Sequence, residues 1–441
     1  MLSGSIDAVL EWLFTARLPE TVAEKARLLA LDTIGCVLAA GDKDEPRALA
    51  SQLARADPGG CAVPGFADRF STGAAAAQFA ASACWDEACE GLARAHGRPG
   101  VAVLASLSAL AQIRGTRLGE VLDALAAGYE TGARIGAALR IVPGMHVDAT
   151  WPAFGVAAAM LRLEGGTARA AAQAIAIAAC QMPSSLYAPV QAGASARNTY
   201  LAHAAQLGML AGASALAGIA APPDAIDEFQ RLALAAAPAG APFAGPGEWL
   251  MLEGYLKPYA GVRHVHYGAA AAIALRGRVA ARLGAISRLR LSTYGEALTY
   301  CANRAPTTPL AAQFSLSWGI ARALVAGDLA PEAYAPAALS DALTRSLESK
   351  VEIALDAGLE RSGRRGARLE IEVEGEALCC ALERVAGDPD APLGRDAVVG
   401  KFVRYAANAL GEARALAAAE SFLAADPGRP WGDLVGLFSR R

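Results

Sequence analysis

The stretch AEKARLLALDTIGCVLAAG, residues 23 to 41, repeats apolar side chains at i, i+3 and i+4 and ends on a glycine. This spacing places the apolar side chains on one face of an α-helix, and glycine is common just past a helix end. A second stretch of this kind, LGEVLDALAAGYETGARIGAAL, covers residues 118 to 139. Both stretches predict long helices that pack through alanine-rich faces.

The same periodicity continues from Ser5 to about Ala220, where glycine and proline separate the segments and β-branched alternation is nearly absent. This half is therefore predicted to be all-helical. After Lys257 the pattern changes, because residues 288–301 and 368–383 alternate apolar and polar side chains as strands do. Three helical stretches accompany these strands, and they are residues 266–280, 315–327 and 339–351.

Residues 400–424 are strongly helical again, and the turn-rich stretch DPDAPLGRD, residues 388–396, is the natural linker before them. The pattern predicts a mainly α fold in two domains. Residues 1–255 with 397–441 would form a large helical domain from both chain ends, and residues 256–396 a smaller inserted α+β domain. A chain of 441 residues exceeds the size of a usual single core, which also favours two domains.

The composition narrows the functional classes. A formal net charge of −3 supplies no basic field for a nucleic-acid backbone. No run of about 20 apolar residues predicts a membrane span, and the first residues lack the basic and apolar regions of a signal peptide. We therefore expect a cytoplasmic protein, and the 54% hydrophobic content favours an oligomer that buries helical surface.

The cysteine pattern favours reduced thiols in the core over a metal site. The eight cysteines are scattered, mostly among apolar neighbours, and form no pair of CxxC motifs of the kind that binds zinc. Cys89 has no basic partner near it in sequence, so a buried thiol is the simpler interpretation than a nucleophile. No metal site is expected from the cysteines.

Two short segments concentrate the residues suited to chemistry. They are GMHVDATWPAFG, residues 144–155, and LKPYAGVRHVHYG, residues 256–268. The chain has five histidines, and three of them, His146, His264 and His266, lie in these segments. Histidine exchanges protons near neutral pH, while lysine and arginine bind carboxylates. The combination indicates proton transfer on an anionic substrate, although a histidine before an alanine-rich helix also often serves only as a cap or packing group.

Segments along nearly the whole chain resemble the MmgE/PrpD family of 2-methylcitrate dehydratases, cis-aconitate decarboxylases and iminodisuccinate epimerases. The matching stretches, in chain order, are LALDTIGCVLAAG, GYETGARIG, the histidine segment running into FGVAAAMLRL, KPYAGVRHVHYG, PTTPLAAQFSLSW, ESKVEIALD and GKFVRYAANAL. The resemblance implies a homodimer that needs no metal or organic cofactor. It also implies the same division into a helical and an α+β domain.

The resemblance implies particular site residues. The family motif GxHxTGTxGxFGAA is similar to residues 144–157 and puts His146 at the family's catalytic histidine, with Asp148 suited to orient it. Lys257 corresponds to the family's lysine and His266 to the histidine nine residues later. His264 and His266 would share one face of a strand but lie on nearly opposite faces of a helix, where both cannot easily enter one pocket. We favour His266 and expect His264 to be structural.

The chain departs from the family pattern in two places. Where the family has DFDDT followed by HPSGAV, the chain has EACEG and HGRPGVAV, so Glu87 keeps the first acid while Cys89 and Gly91 replace an acid and a threonine. Either His96 or Arg98 then takes the histidine position. The stretch after residue 194 puts Arg197 where many members have a lysine.

The sequence thus predicts a set of site residues in two roles. The candidate catalytic residues are His146, Lys257, Glu87 and His96, and the candidate substrate-binding residues are Arg197, His266, Arg98 and Arg263. The arginines could equally form surface ion pairs, which is their commoner fate.

Three functions remain open at this point. The leading one is a cofactor-independent lyase of the dehydratase type that abstracts a proton α to a carboxylate of a small di- or tricarboxylate. The second is an isomerase or epimerase of a dicarboxylate with the same first step, which the altered acidic segment favours. The third is a binding or scaffold protein without catalysis.

Overall fold

The computed structural model describes residues 1–440, and they form a mainly α protein, which confirms the predicted fold class. Those residues contain 21 α-helices and six β-strands. The first eleven helices are α1 (Leu2–Thr15), α2 (Glu20–Ala40), α3 (Asp44–Ala56), α4 (Thr72–Ala83), α5 (Pro99–Arg114), α6 (Leu118–Ala138), α7 (Pro152–Leu163), α8 (Ala168–Ala179), α9 (Ala188–Ala192), α10 (Tyr200–Leu216) and α11 (Ala225–Ala233).

Helices α6 and α7 pack closely because glycines face each other at their contact. A Cβ atom on Gly128 of α6 would lie 2.6 Å from the carbonyl oxygen of Gly155 in α7, and a Cβ atom on Gly155 would lie equally close to the carbonyl oxygen of Gly128. No side chain fits between these two backbones. This contact places the start of α7, and with it the histidine segment before α7, against the core of the helical region.

The first half contains one exception to the predicted all-helical pattern. Strands β1 (Pro58–Ala62) and β2 (Arg69–Phe70) form a small antiparallel sheet there. The glycine-rich stretch of β1 carries no β-branched alternation, so side-chain pattern gave no strand signal. Its main chain fits because a Cβ atom on Gly59 would lie 2.5 Å from the carbonyl oxygen of Phe70.

The remaining elements include a four-stranded sheet with the order β4-β3-β5-β6, in which only β3 and β4 run parallel. The strands are β3 (Ile286–Thr293), β4 (Val351–Leu355), β5 (Ala367–Val373) and β6 (Glu376–Leu382). The helices are α12 (Arg263–Val279), α13 (Gly295–Cys301), α14 (Pro309–Gln313), α15 (Leu316–Ala326), α16 (Pro336–Leu339), α17 (Ala342–Ser349), α18 (Ala357–Ser362), α19 (Arg395–Leu410), α20 (Glu412–Leu423) and α21 (Trp431–Gly436).

Two predicted segments end differently in the structure. The strand expected over residues 288–301 stops at Thr293, where α13 begins after one residue and the carboxylate of Glu360 accepts the backbone N–H of Gly295 at 2.9 Å. The strand expected over 368–383 is a hairpin, because Glu374 and Gly375 both adopt positive φ, as a tight two-residue turn requires. Strand β4 was not predicted.

The C-terminal helices return to the start of the chain, where α19 packs along α2. Lys401 of α19 donates to the carboxylate of Asp32 in α2 and to the carbonyl oxygen of Ala88, both at 2.7 Å, and both side chains of this ion pair are buried. The division into a helical domain (residues 1–255 with 397–441) and an α+β domain (256–396) stays a proposal. The contact between α19 and α2 supports it.

Within residues 1–440, no helix combines the length and the apolar character needed to cross a membrane. The same residues contain no cluster of three or more histidine, cysteine, aspartate or glutamate side chains placed to hold a metal ion. The eight cysteines are free thiols, and five of them are buried.

The buried ion pair between α2 and α19 predicts a large loss of stability when one partner is removed. Lys401→Met leaves the buried carboxyl of Asp32 without its partner, so we expect the free energy of unfolding to fall by about 3–5 kcal/mol in urea titrations. The control Arg404→Met, in the same helix, removes an exposed ion pair with Asp328 and should cost less than about 1 kcal/mol. Adding Asp32→Leu to Lys401→Met should recover part of the loss. A double variant as unstable as the single one would contradict the account.

Candidate active site

A cavity of about 420 Å³ lies where the loops before four helices meet. Its walls come from both halves of the chain. The positively charged side chains that line it are Arg98, Arg140, Arg197, Lys257, Arg263 and Arg365. The negatively charged ones are Glu87, Asp148 and Glu296. The six cations exceed the three carboxylates, although the whole chain carries a net charge of −3. The cavity is therefore suited to an anionic ligand.

Short loops and helix starts position these side chains. Arg98 directly precedes α5, Arg197 lies in a 3₁₀ turn three residues before α10, and Arg263 is the first residue of α12. The N-terminal end of a helix carries partial positive charge and free backbone N–H groups. Helix starts next to the cavity add to the potential of the arginines, because both favour anions.

Glu87 is the centre of a buried charge cluster. Its carboxylate accepts from Arg98 Nη1 at 2.9 Å, forms an ion pair with Arg197, and lies 3.1 Å from Lys257 Nζ. Lys257 Nζ also donates to the backbone carbonyl oxygen of Glu87 at 2.6 Å. Although burial opposes ionisation, the three cations hold the pKa of the Glu87 carboxyl well below its usual range. Glu87 thus stays ionised and holds cations, so it is unsuited to donate a proton.

Asp148 completes the cluster from the histidine segment. Its carboxylate lies 2.6 Å from Arg98 Nη2 and 3.3 Å from Arg197 Nη2. Burial raises the pKa of the Asp148 carboxyl, but Arg98 and Arg197 lower it further and leave it below its usual value. Asp148 was expected to orient His146. Its carboxylate contacts the arginines, and its backbone N–H donates to His146 Nδ1 at 3.1 Å.

His146 lies in the cavity wall with N–H groups facing both ring nitrogens. Asp148 donates to Nδ1 through its backbone, and Arg197 Nε lies 3.4 Å from Nε2. A neutral imidazole has one lone pair for accepting, so it can satisfy only one of these donors. Burial lowers the pKa of His146 to about 4, and Arg197 and Arg98 lower it as well. His146 is therefore neutral at pH 7 and able to take up a proton when an anion reduces the positive field.

The position of His146 is fixed from both sides. Its backbone N–H donates to the carbonyl oxygen of Ser185 at 2.9 Å, and Ser185 Oγ donates to its carbonyl oxygen at 2.5 Å. The ring of Tyr187 stacks on the imidazole at a centroid distance of 5.9 Å, and the ring of Tyr200 meets it edge-on at 5.5 Å. These contacts hold the imidazole while leaving it in the cavity wall.

Lys257 is 3% exposed and follows a buried leucine. Burial lowers the pKa of its ammonium group, whereas Glu87 raises it and Arg98 lowers it again. A lysine with a lowered pKa releases its proton more readily, which suits a general acid. Glu87, the partner of Lys257, has a φ of +53°, a backbone conformation that residues other than glycine rarely adopt. That conformation directs the Glu87 carbonyl oxygen and carboxylate at the same ammonium group.

The structure places His264 and His266 in the opposite arrangement from the one expected. Helix α12 begins at Arg263, so the two histidines lie on different faces, and His264 lines the cavity. His266 is fully buried outside the cavity wall, with its Nε2 3.1 Å from the carbonyl oxygen of Gly261 and its Nδ1 3.2 Å from Arg263. Arg263 lines the cavity but also pairs with Asp388. Burial lowers the pKa of His264 to about 3.

His96 lies at the more exposed part of the cavity wall. Its Nδ1 is 3.1 Å from the Glu296 carboxylate, and the side chain is 38% exposed. Like Glu87, it has positive φ, at +54°. Arg98 is part of the charge cluster around Glu87, whereas His96 contacts Glu296 of helix α13. The two candidates for the family's histidine position therefore both line the cavity, but Arg98 pairs with Glu87 and Asp148, whereas His96 pairs with Glu296.

The departures from the family pattern have physical reasons in the packing. A Cβ atom on Gly91 would lie 2.4 Å from Tyr255 Oη, so the tyrosine ring occupies the space that a larger residue would need. Cys89 Sγ lies 3.7 Å from Arg98 Nη1, and burial raises the pKa of its thiol. Cys89 is thus a neutral buried thiol, not a nucleophile.

Sequence reasoning missed three charged residues and three tyrosines of the cavity. They are Arg140, Glu296 and Arg365, and Tyr187, Tyr255 and Tyr300. Arg140 follows α6, Arg365 precedes β5, and neither belongs to a glycine- or histidine-containing motif. Only Glu296 had a local sequence signal, because it directly follows a Tyr-Gly pair that comes immediately after strand β3. Their place in the cavity depends on tertiary packing.

Comparison with known protein families identifies the family of this chain. The family model of the MmgE/PrpD N-terminal domain matches residues 9–240, and the model of the MmgE/PrpD C-terminal domain matches residues 259–425. His146 and Arg197 fall within the first match and His264 within the second, while Lys257 lies in the short interval between them. No curated protein gives a match.

The buried histidines predict a loss of stability in mild acid. Burial lowers the pKa of His146 and His264 to about 4 and about 3, and of His266 well below the usual 6.5. The unfolded chain therefore takes up protons below pH 6.5 that the folded chain does not. The stabilisation is complete above pH 6.5 and is lost as the pH falls toward the folded-state values, by at most about 1.4 kcal/mol per pH unit for each histidine.

Urea titrations between pH 7 and 4.5 test this. His264→Gln should lower the pH dependence of the unfolding free energy by about one proton, whereas the exposed His203→Gln should leave it unchanged. An equal pH dependence in wild type and His264→Gln would show that His264 takes up its proton in the folded protein.

Proposed function

Because the chain belongs to the MmgE/PrpD family, we propose that it is a lyase of the dehydratase type that acts on a small di- or tricarboxylate. The observation that carries the proposal is the cavity itself. It combines a neutral buried histidine with a cluster in which Arg98, Arg197 and Lys257 outnumber two carboxylates. Such a site binds a carboxylate and has a base next to it. No metal and no organic cofactor is part of the proposal.

The substrate carboxylate would bind the cations that now hold Glu87 and Asp148. An arginine offers two parallel N–H donors, so Arg197 and Arg98 fit a carboxylate better than a lysine would. Their charge also stabilises the enolate that forms when the neighbouring carbon loses a proton. As the ligand screens Arg197, the pKa of His146 would rise, because Arg197 and Arg98 lower it.

His146 would act as the base. Nε2 takes the α-proton, and the C–H electron pair forms the C=C bond while the bond to the β-hydroxyl breaks. Lys257 donates a proton to the departing hydroxide, which leaves as water, and solvent restores both protonation states. Nδ1 must then carry a proton, and the Asp148 carboxylate, 4.0 Å from Nδ1, is the acceptor that a small ring movement would reach.

One observation favours an epimerase as the second candidate. Glu87 is held ionised by three cations, so Lys257 is the remaining acid for a leaving group in the charge cluster. An epimerase needs no leaving group, and it requires only that His146 removes the α-proton and that a second group returns one to the other face. Lys257 would be that second group.

A panel of hydroxylated and amino-substituted di- and tricarboxylates in deuterated water separates these functions. We expect one acid to lose water and give an alkene that absorbs in the ultraviolet, because the base and the acid are both present. Incorporation of α-deuterium without an alkene would instead establish the epimerase. If no acid gives either signal, both catalytic proposals fail and a binding or scaffold role is left.

Two substitutions test the assigned roles. His146→Gln should lower kcat by about 10²–10⁴-fold, because it removes the base and keeps the volume. Arg197→Lys should mainly raise KM, by about tenfold or more, because lysine cannot form the two-point contact with a carboxylate. Steady-state kinetics with the acid from the panel measure both, and His203→Gln is the control. Unchanged kcat in His146→Gln would contradict the base assignment.

A further inference from the structure

The cavity wall has a second cationic region besides the charge cluster around Glu87 and Asp148. It consists of Arg140, which follows α6, and Arg365, which precedes β5. Both side chains line the cavity and are partly exposed, whereas Arg98, Arg197 and Lys257 are buried. The two arginines come from the two halves of the chain.

Arg140 has no compensating carboxylate. Among residues 1–440, no aspartate or glutamate oxygen lies within 4 Å of its guanidinium group, and Glu296 is the carboxylate whose charge it senses most. Partial burial lowers the pKa of Arg140. A desolvated cation without a partner costs free energy. Such a cost is understandable where a ligand supplies the missing negative charge.

Arg365 is compensated by a carboxylate that also belongs to the cavity wall. Glu296 lies 3.0 Å from Arg365 Nη2 and 3.1 Å from His96 Nδ1. Although burial raises the pKa of the Glu296 carboxyl, His96 and Arg365 hold it well below its usual range. Glu296 therefore pairs with Arg365, as Glu87 and Asp148 pair with the buried arginines.

The ion pairs of the cavity leave two positive charges uncompensated. In the buried cluster, Arg98, Arg197 and Lys257 face Glu87 and Asp148, which leaves one charge. In the outer region Glu296 balances Arg365, and Arg140 stays free. Arg263 pairs with Asp388, which lies outside the cavity wall. One free charge thus belongs to each region.

We propose that Arg140 and Arg365 form a distal anion subsite, and that the substrate is a dicarboxylate with one carboxylate in each region. This inference rests on the proposed function for the first carboxylate and adds the second. A dianion neutralises the two free charges, whereas a monocarboxylate leaves Arg140 unpaired. A tricarboxylate brings one negative charge more than the cavity compensates. Glu296 competes with the distal carboxylate for Arg365.

Calorimetric titration with anions of matched length tests the subsite. The probes are glutarate, with a carboxylate at both ends, valerate, with one, and tricarballylate, with three. We expect the wild type to bind glutarate at least tenfold more tightly than valerate and more tightly than tricarballylate. Arg140→Gln should weaken glutarate binding about tenfold and leave valerate binding within twofold, because charge-assisted hydrogen bonds contribute on this scale.

Two further variants exclude trivial explanations. Glu296→Gln should strengthen glutarate binding, because it removes the competing carboxylate, and a folding defect would have the opposite effect. Arg169→Gln removes an exposed arginine outside the cavity and should change no affinity beyond twofold. It controls for the loss of one positive charge.

The outcomes distinguish the two levels of the proposal. If Arg140→Gln changes glutarate and valerate binding equally, or changes neither, while Arg197→Gln weakens both, the distal subsite is wrong and the proposed function stands. Tighter binding of tricarballylate than of glutarate overturns the dicarboxylate assignment. If the wild type binds none of the three anions and Arg197→Gln makes no difference, the proposed function fails, and the distal subsite with it.

Discussion

The buried carboxylate of Glu87 and its three cations are the interaction on which the site depends. Arg98, Arg197 and Lys257 come from three separate loops, and each loop precedes a helix. Burying an ion is costly, and only well-placed partners repay that cost. The helices must therefore bring all three loops to one point. The positive φ of Glu87 is part of the same constraint, because it lets one residue present a carbonyl oxygen and a carboxylate to Lys257.

A second buried ion pair lies behind the first. Lys401 of the C-terminal helix α19 binds Asp32 of α2 and the carbonyl oxygen of Ala88, the residue after Glu87. The position of Glu87 is thus tied to helices from both ends of the chain. This arrangement explains why a loop in the first quarter of the sequence depends on a segment some 300 residues later.

Much of this could be predicted from the sequence, for physical reasons. Apolar periodicity of 3.6 residues marks the helices directly, and the rare residue types His146 and Lys257 were identified by the spacing that they share with the family. Side chains that require a particular tertiary position could not be predicted. His264 and not His266 lines the cavity because α12 starts at Arg263, and Arg140 reaches the cavity only through tertiary packing. Strand β1 could not be predicted from side-chain alternation, because it is formed by main-chain pairing with β2 at a glycine-rich stretch.

The protein's own carboxylates pair with the cations of the cavity, and the proposed function requires that a substrate carboxylate replaces them. A crystal structure with glutarate bound tests this most directly. The account predicts one carboxylate on Arg98 and Arg197, the other on Arg140 and Arg365, and the carbon beside the first within about 3.5 Å of His146 Nε2, as proton transfer requires. A complex in which glutarate lies elsewhere while Arg98 and Arg197 keep all their contacts with Glu87 and Asp148 would contradict it.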